Sequence, residues 1–318
     1  MKPDELQRHL AAYTALRQAL GFGMQAEKLL LPDFVLFASN RDAGRAVRAS
    51  TAVDWATSGR STTWSSGSAA GRLSMARRFL TYLKAHYPET EIPERSLLRG
   101  HRRAKPFLFT QEQLQKLRES ALQARPRNTL RPQTLAVLLG LLASTGMRVG
   151  EARRLRITDV YLDHQPAHLR VYRSKFDKSR LVPLHHTTVA ELRNYLELRV
   201  TMGYDGCCDN VFVSEQGGPL NHHALCKWFG RLCRKHQIWP TDDHRTPSLH
   251  SLRHTFAVER LRRWYRDGED VHTKLPSLSV YLGHLSPKET YWYLTATPEL
   301  LTQAASRFRM HSQCEESS

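Results

Sequence analysis

His250 and Arg253 stand three residues apart in His250-Ser-Leu-Arg-His-Thr-Phe-Ala257, a stretch whose pattern opens a helix. Residues at i and i+3 share a helix face, so one imidazole and one guanidinium can point at the same spot. A planar guanidinium grips two oxygens of a phosphate at once, and a histidine beside it can move or share a proton near neutral pH. Leu252, Phe256 and Leu261 can anchor the segment while the polar pair faces a cleft. His254, in the same stretch, is expected to be a buried, hydrogen-bonding histidine and not a reagent.

Three more polar clusters lie at a distance. Arg148 sits in Thr145-Gly-Met-Arg-Val-Gly-Glu151, where Gly146 should break a helix and leave the arginine at the turn. Lys175 and Lys178 occupy the expected tip of a hairpin, 174–179. His284 ends Leu282-Gly-His284, with Tyr293 nine residues further on. Metal chemistry is not expected. Cys207, Cys208, His222, His223 and Cys226 include two adjacent cysteines in place of the usual two-residue gap of a zinc knuckle. No Gly-x-x-x-x-Gly-Lys-Ser/Thr loop suggests a nucleotide, so no cofactor is expected.

The elements that must position these side chains read mainly as helices. Leu6, Leu10, Tyr13, Leu16 and Leu20 recur at helical spacing over 4–20, and Gly21 ends that helix. Further helices are expected over 25–39, with Leu29, Leu30, Phe34 and Phe37 apolar, then around 50–58, and over 69–86. The last of these should bury Leu73, Met75 or Ala76, Phe79, Leu80 and Leu83, and show Arg72, Arg77, Arg78 and Lys84 on its other side. Residues 96–107, with Arg102, Arg103 and Lys105, read as a basic linker between a helical domain at 1–95 and a second domain at 108–318.

In the second domain Thr110 should cap a helix over 111–123, followed by helices over 130–143 and 151–155. Strands are expected over 168–173 and 180–183, with a short buried one at Val211-Phe-Val213. Helices then follow over 187–200, from Asn221 to about 236, 250–267, 278–282, 286–294 and 298–309, before a disordered tail. The fold class is thus mainly α with a small β-sheet.

Lys and Arg total 47 against 30 for Asp and Glu, a formal net charge of +17 in 318 residues. Such an excess repels itself in a compact chain and suits a polyanion, with nucleic acid the first candidate. Arg72, Arg77, Arg78, Arg102, Arg103, Lys105 and Lys178 are the expected DNA contacts. The longest apolar run, 135–143, is far too short to span a bilayer, and the first residues do not read as a signal peptide. A soluble, cytoplasmic protein at the bacterial nucleoid is expected. Five scattered cysteines do not form a disulfide framework.

The three boxes, Thr145–Glu151, His250–Ala257 and Leu282–His284 with Tyr293, in this order on a basic chain, resemble the tyrosine recombinase (phage integrase) family. The resemblance covers roughly 107–310 by motif and 1–95 by helical layout alone. It implies a helical core-binding bundle joined to an α+β catalytic domain. By this resemblance Arg148 and Arg253 clamp the scissile phosphate, whose charge grows as a side-chain oxygen attacks. Tyr293 is the nucleophile and forms a 3′-phosphotyrosine. A free phenol titrates at about 10, so a cationic site must favour its phenolate. Lys175 protonates the leaving 5′ oxygen, His250 assists the proton at the nucleophile, His284 hydrogen-bonds the phosphate, and Glu151 braces Arg148.

Two assignments stay open. The family surrounds its lysine with glycines, whereas Ser174 and Phe176 flank Lys175, which keeps Lys178 a rival. Tyr291-Trp-Tyr293 offers two phenols on different helix faces, and the spacing from His284 favours Tyr293.

The implied activity is site-specific cutting and rejoining of DNA at inverted-repeat core sites. A dimer would occupy each site and a tetramer the synapse, joined through the 298–309 helix. The absence of room for an arm-site domain ahead of the bundle, with the Tyr-Trp-Tyr-Leu box, points to a mobile element. The alternatives are DNA relaxation of the type IB topoisomerase kind and a DNA-binding protein that has lost catalysis.

Overall fold

The computed structural model describes residues 3–58, 68–98, 105–172, 179–240, 245–284 and 286–294. The chain divides into two compact units, Met1–Arg103 and Ala104–Ser318.

The first unit contains α1 (Pro3–Ala19), α2 (Gln25–Arg41), α3 (Ala49–Thr57) and α4 (Ser68–Lys84). Its core gathers Leu6, Tyr13, Leu31, Phe34 and Trp55 with Leu73, Ala76, Phe79, Leu80 and Leu83 of α4, so Ala76 and not Met75 takes the inward position. The Trp55 indole N–H is satisfied by Asp33 at 2.8 Å, as a buried indole requires. Leu16, Leu20 and Leu29 share the apolar spacing but remain exposed. One correction concerns the basic side of α4. Arg72 is buried, and its guanidinium donates to the Ala56 carbonyl near the end of α3. Helix ends leave carbonyls without intrahelical partners, and a long cationic side chain can supply the missing donor. Arg72 therefore closes the bundle and does not face outward. Arg77 donates to the carbonyls of Pro93 and Glu94 at 2.8 and 2.7 Å. Arg78 is exposed and pairs with Glu27 at 3.0 Å.

The second unit begins inside the expected linker. Phe107 and Phe109 are buried and meet edge to face at 5.0 Å, and the Lys105 carbonyl accepts from the Arg245 amide. At the linker's other end, Leu98 packs on the first unit's core. Arg102 and Arg103 lie outside the described residues, and Lys105 is exposed.

Thr110 and Gln113 form a reciprocal cap for α5 (Gln111–Leu122), at 3.2 and 3.0 Å. Next come α6 (Arg131–Thr145), apolar on most sides and buried, and the short α7 (Val149–Arg154). β1 (Val160–Tyr161), β2 (His168–Tyr172) and β3 (Ser179–Pro183) make an antiparallel sheet in that order, with Leu169 opposite Val182 on the buried face. The chain continues through α8 (His186–Thr201), α9 (His222–Lys235), α10 (Leu249–Arg266), α11 (Val271–Leu282) and α12 (Lys288–Leu294).

Two expectations are corrected. Val211-Phe-Val213 is buried as expected but forms no strand; only single bridges, Val213 to Pro219 and Arg156 to Asn210, occur there. The helix expected at 278–282 starts seven residues earlier, because Asp270 caps it and Pro276 does not end it. The 298–309 helix lies outside the described residues.

α10 joins two cores. Leu249 and Leu252 pack into a cluster with α6, α8 and α9, whereas Val258 and Leu261 pack with Leu275, Leu278, Leu282 and Tyr293. The polar residues between them are thereby fixed.

Candidate active site

The site is built where two helices stop. Gly146 ends α6 and Gly283 ends α11, both with left-handed backbone, at φ 62° and 69°. Glycine adopts that conformation without the cost a Cβ would impose. At Gly146 the need is also spatial, since a Cβ there would collide with the Phe256 ring. The carbonyls at these ends carry the negative pole of each helix and attract cations. Arg253, on α10, donates to the Gly146 carbonyl at 2.8 Å and the Leu282 carbonyl at 2.6 Å. Arg148 donates to the Gly283 carbonyl at 3.0 Å. Two consecutive carbonyls at the end of α11 thus hold two arginines that lie 105 positions apart in the chain.

Glu151 ties this arrangement together. Its carboxylate accepts from the Arg148 amide at 2.9 Å and pairs with the Arg148 guanidinium at 3.0 Å. It also takes a two-pronged bond from Arg180 on β3, at 3.1 and 2.8 Å. Burial works to raise its pKa, but the hydrogen bonds and charges of Arg180 and Arg148 outweigh that and hold it down at about 2. Arg180 donates further to the Tyr281 carbonyl at 2.7 Å. Sequence reading missed Arg180. A single arginine on an alternating strand carries no motif, and only the carboxylate across from it reveals its role.

Arg148 and Arg253 differ in exposure. The Arg148 side chain is 37% exposed, whereas Arg253 is 1% exposed. Burial, and next the charge of Arg148, lower the Arg253 pKa to about 10, so the guanidinium is still cationic at neutral pH. Among the described residues no carboxylate forms a salt bridge with it. A buried charge without a counter-ion is costly. The two carbonyls offset part of that cost, and an anion arriving beside Arg148 would offset more.

Tyr293 is 2% exposed and Tyr291 is 45% exposed. The Tyr293 hydroxyl is hydrogen-bonded to Nδ1 of His254 at 3.1 Å, and its ring stacks on His284 at 6.1 Å between centroids. His284 is in turn held by Thr290 at 2.7 Å. His250 is exposed, and its ring meets His254 edge-on at 4.5 Å. The structure therefore brings Arg148, Glu151, Arg253, His284 and Tyr293 together, with His250 on the same helix as Arg253. Lys175 and Lys178 lie outside the described residues. The expected burial of His254 holds, and its partner is the phenol of Tyr293.

Cys226 and His222 touch at 3.7 Å, and no set of three possible ligands that could hold a metal occurs among the described residues. No helix among them is long and apolar enough to cross a membrane.

Comparison with known proteins shows the family. Residues 108–299 match the model of the phage integrase family. The chain is 37% identical over 303 residues to y4rB of Sinorhizobium fredii, named as an integrase/recombinase, covering 93% of this chain and 94% of that one. It is 30% identical over 189 residues to the tyrosine recombinase XerD of Chlorobaculum tepidum, covering 59% of this chain and 57% of that one. Among solved structures, the Tn1549 transposon integrase in complex with transposon right end DNA superposes with a TM-score of 0.64 at 17% identity, covering 97% and 100% of the two chains. A lambda integrase tetramer bound to a Holliday junction gives 0.59 at 18% identity, covering 89% and 78%. These two share the fold. The family match and the y4rB identity together make this chain a member of the phage integrase, or tyrosine recombinase, family.

Proposed function

We propose that this protein is a site-specific recombinase that breaks one DNA strand at a time through Tyr293 and rejoins it to a new partner. One observation carries the reading. A buried guanidinium, Arg253, has no salt-bridge partner among the described residues and is held, like the partly exposed Arg148, at the end of α11, with a buried tyrosine hydroxyl on the neighbouring helix. That combination offers an anion two arginines and one nucleophile.

In this reading a phosphodiester docks between Arg148 and Arg253, and His284 hydrogen-bonds it. The Tyr293 oxygen attacks phosphorus while the bond to the 5′ oxygen breaks. The phenol loses its proton, assisted by His250, and the 5′ oxygen gains one from Lys175, with Lys178 the rival donor. The clamps act by stabilising charge on the non-bridging oxygens as it develops. The ester to tyrosine conserves the energy of the phosphodiester, so rejoining needs no nucleotide. Glu151 keeps Arg148 in place, and Arg180 keeps Glu151 in place.

The substrate is duplex DNA with inverted-repeat core sites, bound by a dimer at each and by a tetramer at synapsis, with the expected 298–309 helix docking on a neighbouring protomer. Residues 1–95 form the core-binding domain, 96–107 the linker and 108–318 the catalytic domain. Arg77, Arg78, Arg102, Arg103, Lys105 and Lys178 contact the DNA backbone. The role assigned is that of a mobile-element enzyme in the cytoplasm at the nucleoid, and the likeness to y4rB, named as an integrase/recombinase, supports the recombination part of it.

The test uses a pool of nicked duplexes tiling the DNA that flanks this gene. A strand broken next to a nick releases a short fragment and traps the covalent protein. Wild-type protein should yield an adduct that survives denaturation, and Tyr293→Phe should yield none while still shifting the same duplex. Absence of any wild-type adduct across the pool would contradict the reading.

A further inference from the structure

The recombinase reading leaves one polar contact unused: the bond between His254 and the hydroxyl of Tyr293. His254 is itself buried. It follows Arg253 directly on α10, so one helix carries both a buried guanidinium and, at the next position, the partner of the phenol. Tyr293 sits on α12, a helix of seven residues, with the rings of His254, His284 and Trp292 around its own at 5.5, 6.1 and 5.3 Å between centroids.

Ring contacts fix the plane of a phenol far better than the place of its oxygen. A short helix can slide or tilt by an ångström while keeping such contacts. An error of about 1 Å in a reacting atom can cost on the order of 100-fold in rate. The distance from the Tyr293 oxygen to the phosphate site must therefore be set by something that ties α12 to the helix bearing Arg253. The bond to His254 is that tie.

We propose that His254 is a positioning residue for the nucleophile, holding the Tyr293 oxygen at a fixed place relative to Arg253 before the strand is cut. With the ring proton on Nε2, Nδ1 accepts from the hydroxyl, and the oxygen's lone pairs remain directed elsewhere, available to phosphorus. His250, one turn earlier with its ring against His254, limits the tilt of the imidazole from its exposed side. The proposal rests on Tyr293 being the nucleophile, and its test separates the two ideas.

Two variants of the full chain distinguish placement from packing. His254→Leu fills much of the ring's volume but offers no acceptor. His254→Asn offers an amide oxygen close to where Nδ1 lies. Both are measured under single-turnover conditions on whichever nicked duplex gives the wild-type adduct, alongside DNA affinity and Tm. His254→Leu should slow adduct formation by roughly 30- to 100-fold with DNA affinity within about twofold of wild type. His254→Asn should recover to within about fivefold of the wild-type rate. Leu variant protein that cuts within about threefold of wild type overturns the proposal. So does a pair of folded variants that are equally slow, because then the acceptor atom is not what matters. If His254→Leu does not fold, the Asn variant decides alone: a near wild-type rate supports placement by an acceptor, and a large loss with normal Tm rejects it. Failure of wild-type protein to form any adduct removes the recombinase reading and this inference with it, whereas normal cutting by the variants removes only this inference.

Discussion

Arginines serve opposite ends in the two units. In the helical bundle each is partnered within the unit: Arg72 closes the end of α3, Arg77 holds the carbonyls of Pro93 and Glu94, and Arg78 pairs with Glu27, with Arg77 and Arg78 less buried than Arg72 and open to a phosphate as well. In the second unit Arg148 and Arg180 share a single carboxylate, Glu151, and Arg253 converges on the same place held by carbonyls alone. The first pattern lowers the cost of each charge locally. The second leaves an excess of positive charge that an anion would neutralise. A net charge counted along a sequence cannot tell these apart, since burial and partners decide whether a cation is structural or waiting for a ligand.

Substitutions can break that contrast or sharpen it. The largest effect is expected at Arg253. Arg253→Lys keeps the charge but loses the fork, and strand cleavage should fall by about 10²- to 10³-fold, read as the rate of adduct formation on bound DNA. Near-normal cleavage would place Arg253 among the structural arginines.

Glu151→Gln should destabilise the protein by about 3 kcal/mol, because two arginines lose their shared counter-ion in a buried setting. Chemical denaturation at neutral pH measures this. The sign with pH follows from the depressed pKa. The carboxylate is held at about 2 in the folded protein against an ordinary glutamate value of 4.5. Its contribution is therefore complete above about pH 4.5 and disappears as pH falls toward 2. Wild-type protein should lose stability over that window, and the Gln variant should lose less.

Arg72→Ala should cost about 1–2 kcal/mol by leaving the Ala56 carbonyl without its donor, visible as a lower Tm. The salt dependence of DNA binding should not change. If Arg72 were a phosphate contact, the slope of log affinity against log salt would instead drop by about one. Arg78→Ala is the smallest case. Its exposed pair with Glu27 should contribute under about 0.5 kcal/mol, and any effect should appear in the salt slope and not in Tm.

The parts readable from sequence were those set by local chemistry. Thr110 and Asn221 cap their helices as expected, Gly146 ends α6, and the apolar spacing of α4 places its core residues. The boxes likewise put Arg148, Arg253, His284 and Tyr293 in one neighbourhood, because each stands beside a glycine turn or on the helix face that meets one. What stayed hidden depends on distant partners. Arg72 looks like a surface residue until the end of α3 is placed against it. Arg180 has no motif, and its value comes from Glu151, 29 positions earlier. α11 extends upstream of the expected 278–282 because Asp270 starts and caps it, although Pro276 lies inside, where a proline normally argues against helix.

The most direct measurement is to digest the trapped protein–DNA adduct and identify by mass spectrometry the side chain that carries the nucleotide remnant. Attachment at Tyr293, with the phosphate on the 3′ side of the break, is the expected result. Attachment at Tyr291, or at any residue remote from Arg148 and Arg253, would contradict the assignment of this site.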